Sequence, residues 1–291
     1  MTRFVDNPYL VPFDGKWKLA EAPTTPPDDG NGRKKRKKRL EKVVGEIDDL
    51  QRRLYAENKR AILLVFQAMD AAGKDSTIRA VFTGVNPAAF QVSSFKQPSS
   101  EELDHDFLWR TARRLPERGR FGVFNRSYYE EVLVVRVHPE YLKGQRLMDP
   151  TPSDEFWANR MQSIRDHELH LARNGTRILK FWLNVSPEEQ KNRFLSRIDD
   201  QRKNWKFSKS DLDERGFWKD YMHAYEEALR ATSTPHAPWY AIPADDKPFL
   251  RLTVAETIRD ALAQMDPRFP ELASEKLGEL GRIRGVLTKD D

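Results

Sequence analysis

AILLVFQAMDAAGKDSTIRAVF, residues 61–82, opens on an apolar run, passes through a short stretch containing Gly73 and resumes as a helix-forming segment. The apolar run from Ala61 to Phe66 is rich in branched residues and suits a strand buried on both faces of a parallel sheet. Ala68-x-x-x-x-Gly73-Lys74-Asp75-Ser76 then lies where a Walker A loop stands between a strand and a helix. There Ala71, Ala72, Gly73, Asp75 and Ser76 offer successive backbone N–H groups to an anion, and the helix dipole adds attraction. Lys74 supplies the mobile cation that can follow a phosphoryl group during transfer. Two positions depart from the general pattern. Ala68 replaces the first glycine, and Asp75 stands where a hydroxyl would reach Mg²⁺. The plainer reading of the segment is a strand-to-helix turn with an exposed lysine. Asp70 within the loop would repel phosphate unless a metal or a guanidinium lay between them; the alternative is a turn cap.

Working outward, the alternation of strand and helix recurs. FQVSSF (residues 90–95) precedes a predicted helix over 99–115, and FGVFN (121–125) precedes another over 127–137. TRILKFWLNV (176–185) is followed by Ser186-Pro187-Glu188-Glu189, a cap, an N1 proline and two acids that favour the helix dipole. PWYAIP (238–243) precedes the helix-like LTVAETIRDALAQM. The pattern predicts an α/β fold, a parallel sheet flanked by helices, with ligands at the C-terminal ends of the strands. Residues 1–31, rich in Pro and Gly, read as an arm laid over that domain. The polar, basic stretch 193–221 reads as an excursion from the sheet. Arg193 and Arg197 lie four apart, so on a helix both guanidinium groups could grip a phosphate chain, with Lys206 nearby.

Of the 291 residues, 38% are hydrophobic and 33% charged, with a net charge of +5, a balance that implies a densely charged surface and a taste for polyanions. Phosphate chains, nucleotides and nucleic acid all qualify. No apolar run approaches the roughly 20 residues that span a bilayer, and no signal-peptide pattern opens the chain, so the expected compartment is the cytoplasm, with no membrane partner. There is no cysteine, and the six histidines show no paired ligand spacing, so any metal is expected to be Mg²⁺ held by oxygen. The densest basic run, RKKRKKR (33–39), leads straight into a helical pattern through Leu40, Val43, Val44, Ile47, Leu50 and Leu54. A solvated helix start and a nucleic-acid arm are its two readings. Nucleic acid is the less favoured partner, because no recognised reader motif accompanies the charge.

MDAAGKDSTI (69–78), FNRSYYEEVLVVRVHP (124–139), NWKFSKSDLDER (204–215) and APWYAIPADDK (237–247) together resemble the polyphosphate kinase 2 family, and among its classes most closely class III, from about residue 40 to about 265. The resemblance implies a thymidylate-kinase-like P-loop kinase fold with a helical lid. It also implies bound Mg²⁺ and reversible phosphoryl transfer between inorganic polyphosphate and AMP or ADP, giving ADP and ATP. Carried across residue by residue, Asp70 and Lys74 become the Walker A catalytic pair, with Asp70 toward the metal. Asn125-Arg126 takes the Walker B position, with neutral Asn125 where other classes carry aspartate. One fewer fixed negative charge there would let the site accept both AMP and ADP, and Glu130, five residues on, is placed to act through Mg²⁺ or water at the acceptor phosphate; its plainer reading is an acid that favours the first turn of the helix. Lys96 and Trp109 fall in the stretch around the acceptor nucleotide, although Phe107, Leu108 and Trp109 read equally as the core face of a helix. Arg193, Arg197 and Lys206 fall in the lid. The implied division is an arm (1–31), a kinase domain (32–268, with the lid about 193–221) and a tail (269–291). A homo-oligomer is compatible with the sequence. The competing functions are an ATP-dependent nucleoside monophosphate kinase and a nucleic-acid-binding NTPase.

Overall fold

The computed structural model describes residues 4–288; the side chain of Lys206 lies outside what it describes. Five parallel strands form one sheet in the order β2-β3-β1-β4-β5, where β1 is Ala61–Gln67, β2 Phe90–Ser94, β3 Phe121–Asn125, β4 Thr176–Asn184 and β5 Trp239–Pro243. Every residue of β1 and β5 is buried, as a strand covered on both faces requires, whereas edge strand β2 is open on its outer side.

Two helical layers cover the sheet. One consists of α1 (Arg33–Glu57), α2 (Lys74–Phe82) and α10 (Lys247–Met265), which pack on one another. The other gathers α5 (Val134–Val137), α6 (Asp154–Arg173) and α9 (Trp218–Thr232) with the 3-10 turn Tyr128–Val132. Between β4 and α9 the chain leaves the layers as α7 (Pro187–Asp199) and α8 (Lys209–Gly216), and α8 buries no residue. The N-terminal segment runs along β5: Leu10 bridges Tyr240 antiparallel, and Val11 N–H donates to the Trp239 carbonyl at 2.9 Å. This covers a sheet edge that would otherwise offer unpaired backbone groups. At the other end of the chain, α11 (Ser274–Leu287) has no buried residue. Among the described residues, no helix is long and apolar enough to cross a membrane.

Two helix expectations need correction. The segment 99–115 forms two single turns, α3 (Ser100–Leu103) and α4 (Trp109–Ala112). Between them the Asp106 carboxylate accepts from Leu108 N–H at 2.9 Å, a local bond that competes with a continuous helix. The segment 127–137 is a 3-10 turn followed by α5, broken at Leu133 (φ −114°, ψ −81°). Its β-branched run, Val132, Val134, Val135 and Val137, favours helix weakly. Ser127 accepts from Tyr129 N–H two residues on, which closes a tighter turn than an α-helical cap. Helix α6 carries no counterpart in the sequence reading.

The deepest polar contact joins four elements, β4, α6, the end of α9 and the 3-10 turn. Lys180 Nζ on β4 donates to Glu168 Oε2 on α6 at 2.7 Å, to the Thr232 carbonyl at 2.8 Å and to Tyr129 Oη at 2.8 Å. The Tyr128 and Tyr129 hydroxyls both donate to Glu168 Oε1 at 2.9 Å. Lys180 and Glu168 are fully buried; burial pushes the carboxyl up and the ammonium down, while each opposes the shift of the other. Such a pair is costly to form and costlier to break. Lys180→Met therefore leaves Glu168 buried without its cation and is expected to lower unfolding free energy by about 3–5 kcal/mol. Urea denaturation followed by circular dichroism checks this, and a loss near zero would show that Glu168 takes up a proton at no net cost.

Candidate functional site

Strand β1 ends at Gln67, and the loop to α2 turns sharply enough to need left-handed backbone at two positions, Ala71 (φ 61°) and Gly73 (φ 113°). A Cβ on Gly73 would meet only ordinary contacts, so backbone conformation, not space, calls for glycine there. Lys74 opens α2. It is buried, against the exposed lysine of the plainer sequence reading, and its Nζ donates to the Ala68 carbonyl at 2.6 Å. Burial pushes its ammonium down, and the nearby Asp70 carboxylate opposes that. Ser76 Oγ donates to the Gly73 carbonyl at 3.0 Å, which tightens the first turn.

Strand β3 delivers the second half of the site. Arg126 follows it in left-handed conformation (φ 65°), which costs an ordinary residue roughly 1–3 kcal/mol. Its N–H is fixed by the Phe66 carbonyl at 3.1 Å, and the guanidinium spans two acids, Asp70 at 3.1 Å and Glu130 at 3.4 Å. Asp70 is thus met by a guanidinium, one of the two partners its position demanded. Glu130 holds Arg126 protonated, while burial pushes the Glu130 carboxyl up against the pull of Arg126. Asn125 Nδ2 donates to Asp75 Oδ1 at 2.7 Å. That contact corrects the expectation that neutral Asn125 leaves the region one negative charge short: Asp75 supplies a carboxylate at hydrogen-bond distance.

Two chambers meet over these residues. The loop-side chamber, about 930 Å³, is lined by Lys74, Arg79, Lys96, Arg126 and Arg197, against the acids Asp70, Asp75 and Asp211. The second, about 590 Å³, lies toward Val134, Tyr141, Tyr221 and Tyr225, with Glu130 in its wall. Asp70, Lys96, Gln97, Arg126 and Asp211 line both, so the Asp70–Arg126 pair stands at the common wall. Residues of α7, α8 and the segment between them, Arg197, Trp205 and Asp211, border the loop-side chamber.

Not every expected side chain arrives there. Arg193 is buried, and its five N–H donors are spent on protein: the Ala71 and Ala72 carbonyls (3.2 and 2.5 Å), the Ala244 and Asp245 carbonyls (2.5 and 3.2 Å) and Glu189 Oε1 (2.7 Å). It braces the loop and is absent from both chamber walls, whereas Arg197 one turn on lines the loop-side chamber. The two therefore do not act as a matched grip. Trp109 also misses both chambers: its ring stacks on His105 with centroids 3.8 Å apart, and the Arg113 guanidinium lies 4.6 Å from it. Lys206 was expected in the lid; its side chain lies outside the described residues. Sequence reading passed over Arg79, one turn beyond Ser76, Asp211, which lies inside the quoted stretch 204–215 without being singled out, and Tyr221, at the end of the polar excursion.

Two outcomes test these placements. Lys74→Met keeps the buried stem and is expected to cut kcat by about 100-fold or more with little change in Tm; a near-normal rate would remove Lys74 from the chemistry. Arg193→Ala strands four carbonyls and is expected to cost roughly 2–4 kcal/mol of stability and to disturb both substrates. Arg197→Ala is expected to raise the KM of an anionic chain selectively, by about 3- to 10-fold. If the two variants behave alike in steady-state kinetics and thermal melts, the distinction between brace and grip fails.

The family model for polyphosphate kinase 2 matches residues 30–270. The chain is 54% identical over 255 residues to an ADP-polyphosphate phosphotransferase of Rhodopseudomonas palustris, covering 86% of this chain and 87% of that protein. It is 41% identical over 275 residues to an AMP/ADP-polyphosphate phosphotransferase of Meiothermus ruber, covering 92% and 98%. The crystal structure of polyphosphate kinase 2 from Arthrobacter aurescens TC1 superposes with a TM-score of 0.85 at 35% identity, covering 93% of each chain. A parallel α/β fold with a strand–loop–helix turn at Lys74 and this likeness along nearly the whole chain agree: the protein is a phosphotransferase and belongs to the polyphosphate kinase 2 family.

Proposed function

We propose that the enzyme moves phosphoryl groups from inorganic polyphosphate to both AMP and ADP, reversibly, with the two substrates entering from the two chambers. The observation that carries this reading is the meeting of those chambers at Asp70 and Arg126, beside Lys74 and the loop amides. Cations outnumber acids five to three in the loop-side chamber, among the described residues, which suits the polyanionic donor. Tyrosines in the other chamber suit a nucleoside, whose base needs a flat apolar surface. The relatives named for ADP and for AMP/ADP support the acceptor range.

Phosphoryl transfer passes through a loose, in-line transition state, so the protein chiefly positions two anions and neutralises charge. Lys74 and the loop N–H groups hold the transferred group, and Arg126 stands between donor and acceptor. A nucleoside phosphate is already ionised near neutral pH, its second pKa being about 6. It brings no proton that must be removed, so Glu130 serves to aim and charge Arg126 rather than as a base. Asp70 uses Oδ1 on Arg126, and the residue lines both chambers. One carboxylate oxygen plus substrate phosphates is the donor set Mg²⁺ takes in kinases, and among the described residues no cluster of three acids or histidines forms a separate cage. When bound, Mg²⁺ would neutralise the phosphate oxygens. Asp70 would hold it, with Asp75 near. Nucleotides as acceptors accord with work in the cytoplasm.

Product analysis with polyphosphate, Mg²⁺ and each of AMP, ADP, GMP and GDP, without ATP, tests the reading. ADP from AMP and ATP from ADP are expected; activity with ATP but not with polyphosphate would make the enzyme an ordinary nucleoside monophosphate kinase. Asn125→Asp sets a second carboxylate against Asp75, and the expected result is a loss of about 10- to 100-fold with both acceptors, partly recovered at higher Mg²⁺. A changed AMP-to-ADP rate ratio without loss of rate would instead give Asn125 the selectivity role first read from the sequence.

A further inference from the structure

The basic run that opens α1 lies outside the catalytic cleft, yet it is not simply a solvated helix start. Arg36, at its centre, is buried: it pairs with Asp29 at 2.8 Å and Asp246 at 3.4 Å and lies 5.2 Å from the Phe249 ring. Arg39 pairs with Glu256 at 2.5 Å. These contacts pin α1 beside the start of α10 and fix where the remaining cations stand. Arg33, Lys34, Lys35 and Lys38 have no ion pair among the described residues, and neither do Lys247 and Arg251 of α10 or Arg79 of α2.

The half-buried Arg251 is the informative member. Its Nε is shut off from solvent without a hydrogen-bond partner, and Arg79, Arg33 and Arg193 all lie within electrostatic reach of it. Lys247, one turn earlier, feels Arg193, Arg251 and Lys203, with Glu189 opposing them. Burial and these like charges push both groups down. The acids nearby are engaged: Glu189 by Arg193 at 2.7 Å, Asp246 by Arg36. Cations crowded together at partial burial, with the local carboxylates already committed, repel one another unless a further anion joins them. Arg79 belongs both to this group and to the loop-side chamber, so the patch is continuous with the cleft.

We propose that Arg79, Arg251, Lys247 and the opening turn of α1 extend the cleft into a surface track that holds the distal phosphates of a polyphosphate chain whose reacting end lies on the phosphate loop. The inference rests on the polyphosphate reading of the cleft and adds a second binding region with its own residues. A chain long enough to leave the cleft gains contacts that a short oligophosphate never reaches. The track thus makes affinity depend on chain length while leaving the reacting end untouched. Polyphosphate is favoured over nucleic acid as the occupant because the patch runs into the site where a phosphate chain reacts.

Arg33→Gln with Arg251→Gln, compared with the charge-retaining Arg33→Lys with Arg251→Lys, tests this. Expected for the Gln pair is a rise of about 3- to 10-fold in the KM of long-chain polyphosphate, largest at low salt, with kcat and the KM of a short linear oligophosphate unchanged. The Lys pair is expected to restore most of the affinity, and thermal melting checks that both fold. Equal effects on long and short donors, or none on either, overturn the track. Equilibrium binding of labelled long-chain polyphosphate without nucleotide decides the matter independently of turnover. A Kd unmoved by the Gln pair sinks the track even if the enzyme is active, and a Kd that rises supports it even if turnover with polyphosphate is absent and the reaction assigned above fails. Tighter binding of random duplex DNA than of polyphosphate of equal charge would assign the patch to nucleic acid and overturn it as well.

Discussion

The guanidinium of Arg193 ties together three separate parts of the chain. Its donors reach the Ala71 and Ala72 carbonyls of the phosphate loop, the Ala244 and Asp245 carbonyls just past β5, and the carboxylate of Glu189 one turn earlier on its own helix. A loop that aims its N–H groups at an anion must turn its carbonyls the other way, and those carbonyls need donors if they are buried. One arginine meets several at once, with a planar fork whose five N–H groups leave little freedom. The same contact ties the base of α7 to the loop, so the excursion that overhangs the cleft starts from a fixed point. Gln190 adds a parallel tie, donating to the Asp70 carbonyl at 2.9 Å, and accepts in turn from Arg215 near the end of α8 at 2.7 Å.

The site then faces a problem of like charge. Lys74, Arg126, Arg197 and Lys96 converge on a cleft that must take up polyanions, and in their absence these cations repel one another. The acids inside the site answer that. Asp70 and Glu130 flank Arg126, and Asp211 lies 4.0 Å from Arg197, so both arginines are held in place by carboxylates that also limit their attraction for phosphate. Where the acids are used up, as around Arg251, the balance is left to the ligand. The buried Lys180–Glu168 pair works on a different link of the chain. It fixes Tyr128 and Tyr129, and with them the tight turn that presents Glu130 to Arg126.

Much of this was legible in the sequence where a local rule and the global fold agree. Ala61 to Phe66 reads as a buried strand because burial on both faces removes alternation, and Gly73-Lys74 reads as a helix start because a left-handed turn there needs glycine. Segments whose shape is set by tertiary contact were not legible. The stretch 127–137 has a plausible helical pattern, but the buried bonds of Tyr128 and Tyr129 to Glu168 hold it as a tight turn. Arg193 and Arg197 have helical spacing, yet four residues advance the helix by 400°, and that 40° offset divides a buried face from the chamber face. Trp109 carried the signature of an acceptor contact and of a packed ring alike, and only the stacking on His105 separates them.

Asp75 in the phosphate loop and Asn125 at the end of the neighbouring strand turn out to be one arrangement. A hydroxyl after the loop lysine and an aspartate at the end of the neighbouring strand make the usual pair around the metal. Here Asp75 takes the first position and Asn125 the second, and the two side chains meet at 2.7 Å. The carboxylate has moved across the gap and the neutral partner has moved the other way, so the charge of the pair is unchanged. What changes is direction. An aspartate on the strand would approach from β3, whereas Asp75 projects from the first turn of α2, and the Asn125 amide holds its Oδ1 from the strand side. Reading either position alone suggests a lost metal contact or a lost charge. Reading them together restores an oxygen donor beside Lys74 and couples the two positions: aspartate at 125 would face a second carboxylate, and serine at 75, with a shorter side chain, would draw its oxygen back from the strand amide.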